Sequence, residues 1–343
     1  MGEKIRAVGF QEALPISDPQ SLFDFEMEKP QAKEHDLLVK IQAVSVNPID
    51  TAVRRNTKGQ LAQPKILGWD AIGLVEAVGE KVSLFKPGDQ VFYAGDFNRN
   101  GSNAQYQLID ERLVGHAPKR LTLAQAAAMP LTSLTAWEAL FEKLQLSFDD
   151  KQKNADQTLL IINGAGGVGS ISIQLAKLAG LKVIATASRP ETSEWAKSFG
   201  ADLILNHRQN LTEQLHQAGY KYVDQILGLN DIDGHWQQMA EMIKPNGRIA
   251  SITANHQPLD LSLIKSKSVT FSWEWMYTKS YYQLPEMITQ HQILEKVSAL
   301  LDKGILKSTL KQTMIGLNAA TLRRAQQQIE TNQMIGKLVV VNN

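Results

Sequence analysis

An apolar run, Thr158-Leu159-Leu160-Ile161-Ile162, leads straight into Asn163-Gly164-Ala165-Gly166-Gly167-Val168-Gly169. The glycines follow the spacing Gly-x-Gly-x-x-Gly, and each is needed for a different reason. Gly164 permits a tight turn, Gly166 lets backbone N–H groups approach a pyrophosphate, and Gly169 lets a helix pack closely on the strand. A helix starting here adds unpaired N–H donors and a partial positive charge. The motif alone is weak. Its context strengthens it, with a strand before, a helix after and a second strand about twenty residues on. The alternative is a glycine-rich structural turn with no ligand.

The chain around this turn alternates. Strands are predicted at residues 158–163, 182–187, 203–206, 222–227, 248–253 and 269–273, and helices at 167–179, 191–199, 210–217 and 234–243. Near-continuous apolar strands separated by amphipathic helices point to a parallel sheet covered on both faces. Six such strands make a doubly wound α/β sheet.

Before this region the chain reads as β-rich. Runs at 36–46, 73–78 and 90–93 are punctuated by turn chemistry such as Lys86-Pro87-Gly88-Asp89, where proline presets φ and glycine accepts positive φ. Helical patterns follow at 123–128 and 133–143, then a polar stretch, 147–157, predicted as an exposed loop. After Trp273 come a helix at 284–303, a strand at 309–315, a helix at 319–331 and a strand at 337–341. These last elements have no place in the parallel sheet, so they are expected to return to a discontinuous first domain. The expected domains are 1–125 with 283–343, and 126–282.

The end of the second strand bears on which dinucleotide would bind. An NAD site places Asp or Glu there to accept from the ribose 2′-OH. Here Ala185-Thr186-Ala187-Ser188-Arg189 holds no carboxylate before Glu191, and Ser188 lies 19 positions after Gly169. A hydroxyl and a planar guanidinium suit a 2′-phosphate, so NADPH is expected over NADH. The alternative has Ser188 capping the next helix and Arg189 solvated. His207, after the third strand, is a candidate for the adenosine or 2′-phosphate edge, or a plain surface histidine.

Composition narrows the chemistry. Of 343 residues, 36 are Lys or Arg and 35 are Asp or Glu, a formal net charge of +1. That balance offers no whole-chain attraction to nucleic acid or an anionic membrane. With no cysteine, disulfides, thiolate nucleophiles and cysteine-bound zinc are excluded. The start, Met1-Gly2-Glu3-Lys4-Ile5-Arg6, is charged where a signal peptide is apolar. No apolar run approaches the roughly 20 residues of a membrane span. A cytoplasmic protein is the expectation.

Several short motifs occur in a characteristic order. They are Ser45-Val46-Asn47-Pro48-Ile49-Asp50, Leu67-Gly68-Trp69-Asp70-Ala71-Ile72-Gly73, Lys86-Pro87-Gly88-Asp89-Gln90-Val91, Pro130-Leu131-Thr132-Ser133-Leu134-Thr135-Ala136-Trp137, the glycine turn, and Gly336-Lys337-Leu338-Val339. With them, over essentially its whole length, the chain resembles the medium-chain dehydrogenase/reductase superfamily and its quinone-oxidoreductase-like branch. Val91-Phe92-Tyr93-Ala94-Gly95, Gly101-Ser102-Asn103-Ala104 and Met334-Ile335-Gly336-Lys337 make it similar to the group called zinc-type alcohol dehydrogenase-like proteins. The resemblance implies a six-stranded Rossmann domain, a discontinuous β-rich GroES-like catalytic domain, a cleft between them, and a homodimer.

Zinc alcohol dehydrogenases of this superfamily bind catalytic zinc through a Cys in the motif matching 47–50 and a His in the one matching 68–70. Those places hold Asn47 and Trp69. Indole cannot ligate and an amide ligates poorly, whereas catalytic zinc wants three side-chain ligands and an open position. The seven histidines are scattered, with no His-x-x-x-His pair. The expectation is therefore no metal site and no zinc.

Without a Lewis acid, oxidising a simple alcohol is hard. Reducing a quinone or enone is easier, because the developing oxyanion needs only a hydrogen-bond donor or water. The leading expectation is an NADPH-dependent oxidoreductase acting on quinones, enones or related small carbonyl compounds. Two alternatives stand: a zinc-dependent alcohol dehydrogenase with atypical ligands, and a non-catalytic NADPH-binding redox sensor. By motif position Asn47 is the candidate polar residue near the nicotinamide, Asp50 a loop-fixing carboxylate, and Thr132 and Lys337 contacts to the ribose side. Related quinone reductases often carry Tyr two residues after the aspartate; here that place is Ala52. Tyr93 and Tyr106 are candidate donors or core tyrosines, and no proton donor is assigned. The aromatic segment 271–277 reads as an acceptor-pocket wall, or as sheet-edge packing or a subunit interface, the latter favoured for Trp273.

Overall fold

The structure is a computed structural model that describes residues 2–342. The chain divides into two compact units, Met1–Leu134 with Tyr277–Asn343, and Thr135–Met276.

The second unit holds one six-stranded parallel sheet. Its strands are β1 (Thr158–Ile162), β2 (Lys182–Thr186), β3 (Leu203–Leu205), β4 (Val223–Gly228), β5 (Ile243–Ser251) and β6 (Thr270–Trp273). They lie side by side in the order β3-β2-β1-β4-β5-β6, the doubly wound order that reverses direction beside the first strand. Every residue of β1 is buried, which is why that run carries no alternation. Helices Gly167–Leu178, Pro190–Ser198, Leu211–Gln217 and Ile232–Met242 connect the strands. Their starts are set locally: Asn210 accepts from Glu213 N–H at 3.1 Å, and Asp231 from Gly234 N–H at 3.1 Å. Ile226, Ile249, Trp236 and Met239 form part of the core between sheet and helices.

Three elements in or bordering this unit differ from expectation. The fifth strand begins at Ile243 instead of Arg248. Lys244-Pro245-Asn246-Gly247 reads as a turn, and Asn246 does take a positive φ of 59°, but the turn is absorbed as an irregularity in the pairing with β4. The helix expected over 133–143 starts at Pro130 and widens at Glu138–Lys143, where Leu144 N–H donates to Ala139 C=O. Such π-type turns concentrate at functional sites. The stretch 147–157 is not simply exposed. It contains a short turn, Lys151–Asn154, whose Asn154 is buried and donates to Ser147 and Ala179 carbonyls.

The first unit is β-rich. Strand Asp36–Val46 is central, pairing with Ala71–Val78, with Tyr106–Asp110 and with Lys337–Val341, all antiparallel. Leu310–Ile315 runs parallel to Lys337–Val341, and Gln90–Tyr93 and Val114–His116 extend the other side. The late strands thus belong to this sheet. A separate three-stranded sheet contains Lys4–Phe10, Phe23–Glu28 and Lys65–Ile66. Helix Pro48–Asn56 follows the central strand, with proline in its first turn and Asn47 as cap. Its Arg54 is buried, bonding Gln326 Oε1 at 2.9 Å and also Leu14 C=O and Glu330, which ties this helix to helix Ala319–Glu330. Among the described residues no helix is long and apolar enough to cross a membrane.

Candidate active site

Four segments that are distant in sequence meet in one buried cluster of the β-rich unit. Asn47 and Asp50 stand at the start of helix Pro48–Asn56. Asp50 accepts from Asn47 N–H at 2.6 Å and from Gly68 N–H at 3.2 Å, so one carboxylate fastens the second motif to the first. Asp70 accepts from Leu131 N–H at 3.1 Å, which adds the third. Lys337 supplies the fourth. Its ammonium donates to Asp70 Oδ2 at 2.9 Å and to Asn47 Oδ1. Asn47 Nδ2 in turn donates to Ser45 C=O at 3.1 Å and to Asp70 Oδ2 at 3.3 Å. An amide nitrogen has two hydrogens, so both of Asn47's donors are spent inside the protein.

The cluster is dry, which governs its charge. Asp50, Asp70, Asn47 and Lys337 are all buried. Burial pushes the Asp50 carboxyl up to about 7, against the opposing pull of its N–H bonds and Lys337. Burial also raises Asp70, opposed most strongly by the Lys337 charge. Tyr277 lies close enough to both aspartates for their charge to add to burial in raising its phenol. Trp69 is fully buried and its indole N–H donates to Asp96 C=O at 3.2 Å. That nitrogen therefore carries a hydrogen and no lone pair for a metal. Among the described residues no group of three or more His, Asp or Glu side chains is placed to hold a metal ion.

In the parallel-sheet unit the glycine turn has a close-packed geometry. Asn163 takes φ 70°, and its N–H donates to Thr186 Oγ1 at 2.9 Å, so the end of β2 braces the bend. A Cβ on Gly169 would stand 2.3 Å from Asn163 C=O, and one on Gly164 would stand 2.7 Å from Ala185 Cβ. Gly166 is the helix cap, offers no side-chain bond, and no acidic residue occupies the first turn. The leading amides of this helix thus receive no side-chain cap. Gly167 and Val168 are the first two residues of that helix.

Arg189, and not Ser188, caps helix Pro190–Ser198, its N–H donating to Thr192 Oγ1 at 3.1 Å. Its guanidinium lies 3.2 Å from Glu191. His207 and His235 have ring centroids 6.5 Å apart. Burial, then His235 and Arg208, hold the His207 pKa below the usual imidazole range.

Thr132 is buried, with its hydroxyl on Met129 C=O at 3.3 Å. Tyr93 is a core tyrosine, its hydroxyl donating to Gln107 at 2.9 Å, and Tyr106 lies under the Lys29 ammonium, 4.2 Å from the ring centroid. Tyr277 was expected only within the aromatic segment 271–277, and three further participants carried no expectation of their own: Asp70 and a buried carboxyl pair in the parallel-sheet unit. That pair is Glu138, at the start of the widened turn, and Glu274, which follows β6. Burial, then Glu138, push the Glu274 carboxyl up to about 9, while Lys143 stands 3.7 Å from it. Asp70 lies inside the motif Leu67–Gly73, which is the available signal; the glutamates, 136 positions apart, leave none.

Residues 33–135 match the alcohol dehydrogenase GroES-like domain, and residues 167–290 match the zinc-binding dehydrogenase family. The chain is 42% identical over 336 residues to a zinc-type alcohol dehydrogenase-like protein of Staphylococcus epidermidis, covering 98% of this chain and 99% of that one. A crystal structure of a Rhizobium etli protein, named as a candidate zinc-dependent alcohol dehydrogenase, superposes with a TM-score of 0.95 at 42% identity, covering 100% and 99% of the two chains. An NADPH-dependent alkenal/one oxidoreductase of Arabidopsis thaliana is 35% identical over 241 residues, 67% of this chain and 58% of that one. The chain therefore belongs to the medium-chain dehydrogenase/reductase superfamily, among the zinc-type alcohol dehydrogenase-like oxidoreductases.

Proposed function

We propose that this oxidoreductase uses NADPH, works without zinc, and passes hydride to a quinone, an enone or a related carbonyl acceptor. The observation that carries the reading is the Lys337 ammonium between Asn47 and Asp70. Family names speak of zinc, but the donor set here does not fit it. Catalytic zinc needs three side-chain ligands; these motifs offer one amide oxygen, one carboxylate already paired with an ammonium, a second carboxylate taken up by two backbone N–H groups, and an indole N–H. The positive charge that a metal would bring to Asp70 is supplied by a side chain.

The parallel-sheet unit is the proposed cofactor carrier. Gly164, Gly166 and Gly169 shape the bend that opens helix Gly167–Leu178, whose first amides would receive the pyrophosphate, and Ser188 with Arg189 would face the 2′-phosphate. The Arabidopsis relative's name carries the same cofactor. When bound, NADPH supplies the hydride.

The β-rich unit would handle the acceptor. On an enone, a C–H bond forms at the β-carbon, the π electron pair shifts to oxygen, and the enolate takes a proton from water. The balance is acceptor plus NADPH plus a proton, giving reduced acceptor and NADP+. Asn47 acts here as a positioning residue, holding Lys337 in place, because its own donors are spent. Lys337, with two of its three N–H groups engaged, supplies the positive field that favours charge on oxygen.

The test pairs elemental analysis of the purified protein with NADPH oxidation across quinones and α,β-unsaturated ketones. Turnover by metal-free protein is expected. One zinc per chain, lost together with activity, overturns the reading.

A further inference from the structure

The aromatic run 271–277 is divided between two environments. Phe271 packs edge-on against Trp236 and Trp273, with centroids 5.4 Å and 4.9 Å away, inside the parallel-sheet unit. Tyr277 joins a different group, wholly inside the β-rich unit. Trp69 stacks on Phe97 with centroids 5.2 Å apart and planes at 18°. Tyr277 closes on both rings, 6.2 Å from Trp69 and 5.3 Å from Phe97. Tyr281 stands 6.3 Å from Phe97, and Tyr282 stands 5.0 Å from Tyr281.

These rings form a graded row. Trp69 is 0% exposed, Tyr277 3%, Tyr281 39% and Tyr282 66%. The row is built from two remote segments, and Asn98 Nδ2 joins them by donating to Tyr281 C=O at 3.0 Å. Its buried end adjoins the charge cluster: Trp69 precedes Asp70, and Tyr277 feels the charge of Asp50 and Asp70. A fold needs the buried rings for its core. It does not need the row continued outward by two exposed tyrosines, since exposed aromatic surface is a cost that binding would offset.

We propose that this row is the wall that selects the acceptor, and that it favours planar fused-ring quinones over small aliphatic enones. The inference rests on the reading of this unit as the acceptor side of a reductase. Trp69 and Tyr277 are buried and back the row; the half-buried Phe97 and the exposed Tyr281 and Tyr282 offer the electron-rich ring faces, a quinone ring is electron-poor, and offset or edge contacts between them reward a flat, extended acceptor. A four-carbon enone covers too little of the row to gain the same. The chain has no cysteine, so no thiol competes by adding to the quinone.

The test compares 1,4-naphthoquinone with but-3-en-2-one as acceptors for wild type, Phe97→Leu and Tyr281→Leu. Leucine keeps apolar bulk, and Tyr281 is exposed enough for its replacement to leave the fold intact. The expected result is that the ratio of KM values, naphthoquinone over butenone, rises about tenfold in each variant. A ratio within twofold of wild type in both overturns the proposal. Quenching of tryptophan fluorescence by naphthoquinone in the NADP+-loaded protein gives a readout independent of turnover. If wild type oxidises NADPH with neither acceptor, the reductase reading fails, yet quenching still decides here. Weaker naphthoquinone binding in the variants supports the wall, and unchanged binding removes it.

Discussion

Lys337 Nζ lies 2.9 Å from Asp70 Oδ2 across 267 residues of sequence, with the two side chains 4% and 0% exposed. Neither group would survive this burial alone. A desolvated carboxylate or ammonium costs several kcal/mol, and only a close partner with further hydrogen bonds offsets it. Leu131 N–H and Asn47 provide those bonds, so the pair works as the knot that holds four motif segments in register.

Breaking the knot from one side should therefore be worse than removing it. Lys337→Met leaves Asp70 buried and uncompensated, and should destabilise by about 3–5 kcal/mol. Adding Asp70→Asn to the same chain should recover most of that loss. Urea unfolding followed by circular dichroism measures both. A single substitution costing less than the double would show that the pair does not carry the local stability.

The buried glutamates predict a pH effect of definite sign. Glu274 has a folded value of about 9 against an ordinary 4.5. Between those values the folded chain keeps a proton that the unfolded chain has released. The contribution of this group to stability therefore falls as pH rises through that window. Glu274→Gln has no proton to lose. Its melting temperature should gain on wild type progressively from pH 5 toward pH 9, by at least about 3 °C over the range. Parallel melting curves would refute the assignment.

Arg189 should discriminate between the two dinucleotides. Losing a charge-assisted bond to phosphate costs about 1.5–3 kcal/mol. Arg189→Ala is thus expected to weaken NADPH by about tenfold or more while leaving NADH nearly unchanged, as read by calorimetric titration. Equal losses would place the guanidinium away from the 2′-phosphate and return it to its surface partner Glu191.

Gly169→Ala tests the bend itself. The new methyl would meet a backbone carbonyl at 2.3 Å, and backbone cannot step aside as a flexible side chain can. Overpacking of this kind costs about 1–3 kcal/mol and should abolish dinucleotide binding in the same titration. Retained affinity would mean that the cofactor does not sit on this turn.

Periodicity made the parallel sheet readable because each of its strands is a local event. The run Thr158–Ile162 is apolar throughout since both its faces are covered, and the helices between strands announce their own caps. Reading failed where local chemistry and tertiary context disagree. Pro245-Asn246-Gly247 is turn chemistry, yet it lies inside β5, because pairing with β4 and β6 holds the residues around it. Helix Pro48–Asn56 is not legible in the sequence, because its mixed composition has no apolar stripe. Its buried face is polar, made of Asp50, Thr51 and Arg54.

The site was legible as motifs but not as a network. Asn47, Asp50 and Lys337 each stood out by position, and Asp50 does fix its loop through backbone N–H groups. What no spacing rule conveys is that Lys337 turns to Asn47 and Asp70, or that Asn47 thereby spends both donors. Such pairings are set by strand Lys337–Val341 lying against Asp36–Val46, a long-range decision with no local signal.

That strand also imposes an order of events during synthesis. Asp50 and Asp70 emerge from the ribosome 267 or more residues ahead of their counter-ion. At about 5–20 residues per second the delay is on the order of 10–50 s. Throughout it, the β-rich half holds two carboxylates that it cannot bury cheaply. The parallel sheet, drawn from the uninterrupted stretch Thr135–Met276, suffers no such wait and can condense as soon as it clears the exit tunnel. The unit whose translation begins first is thus the one that matures last.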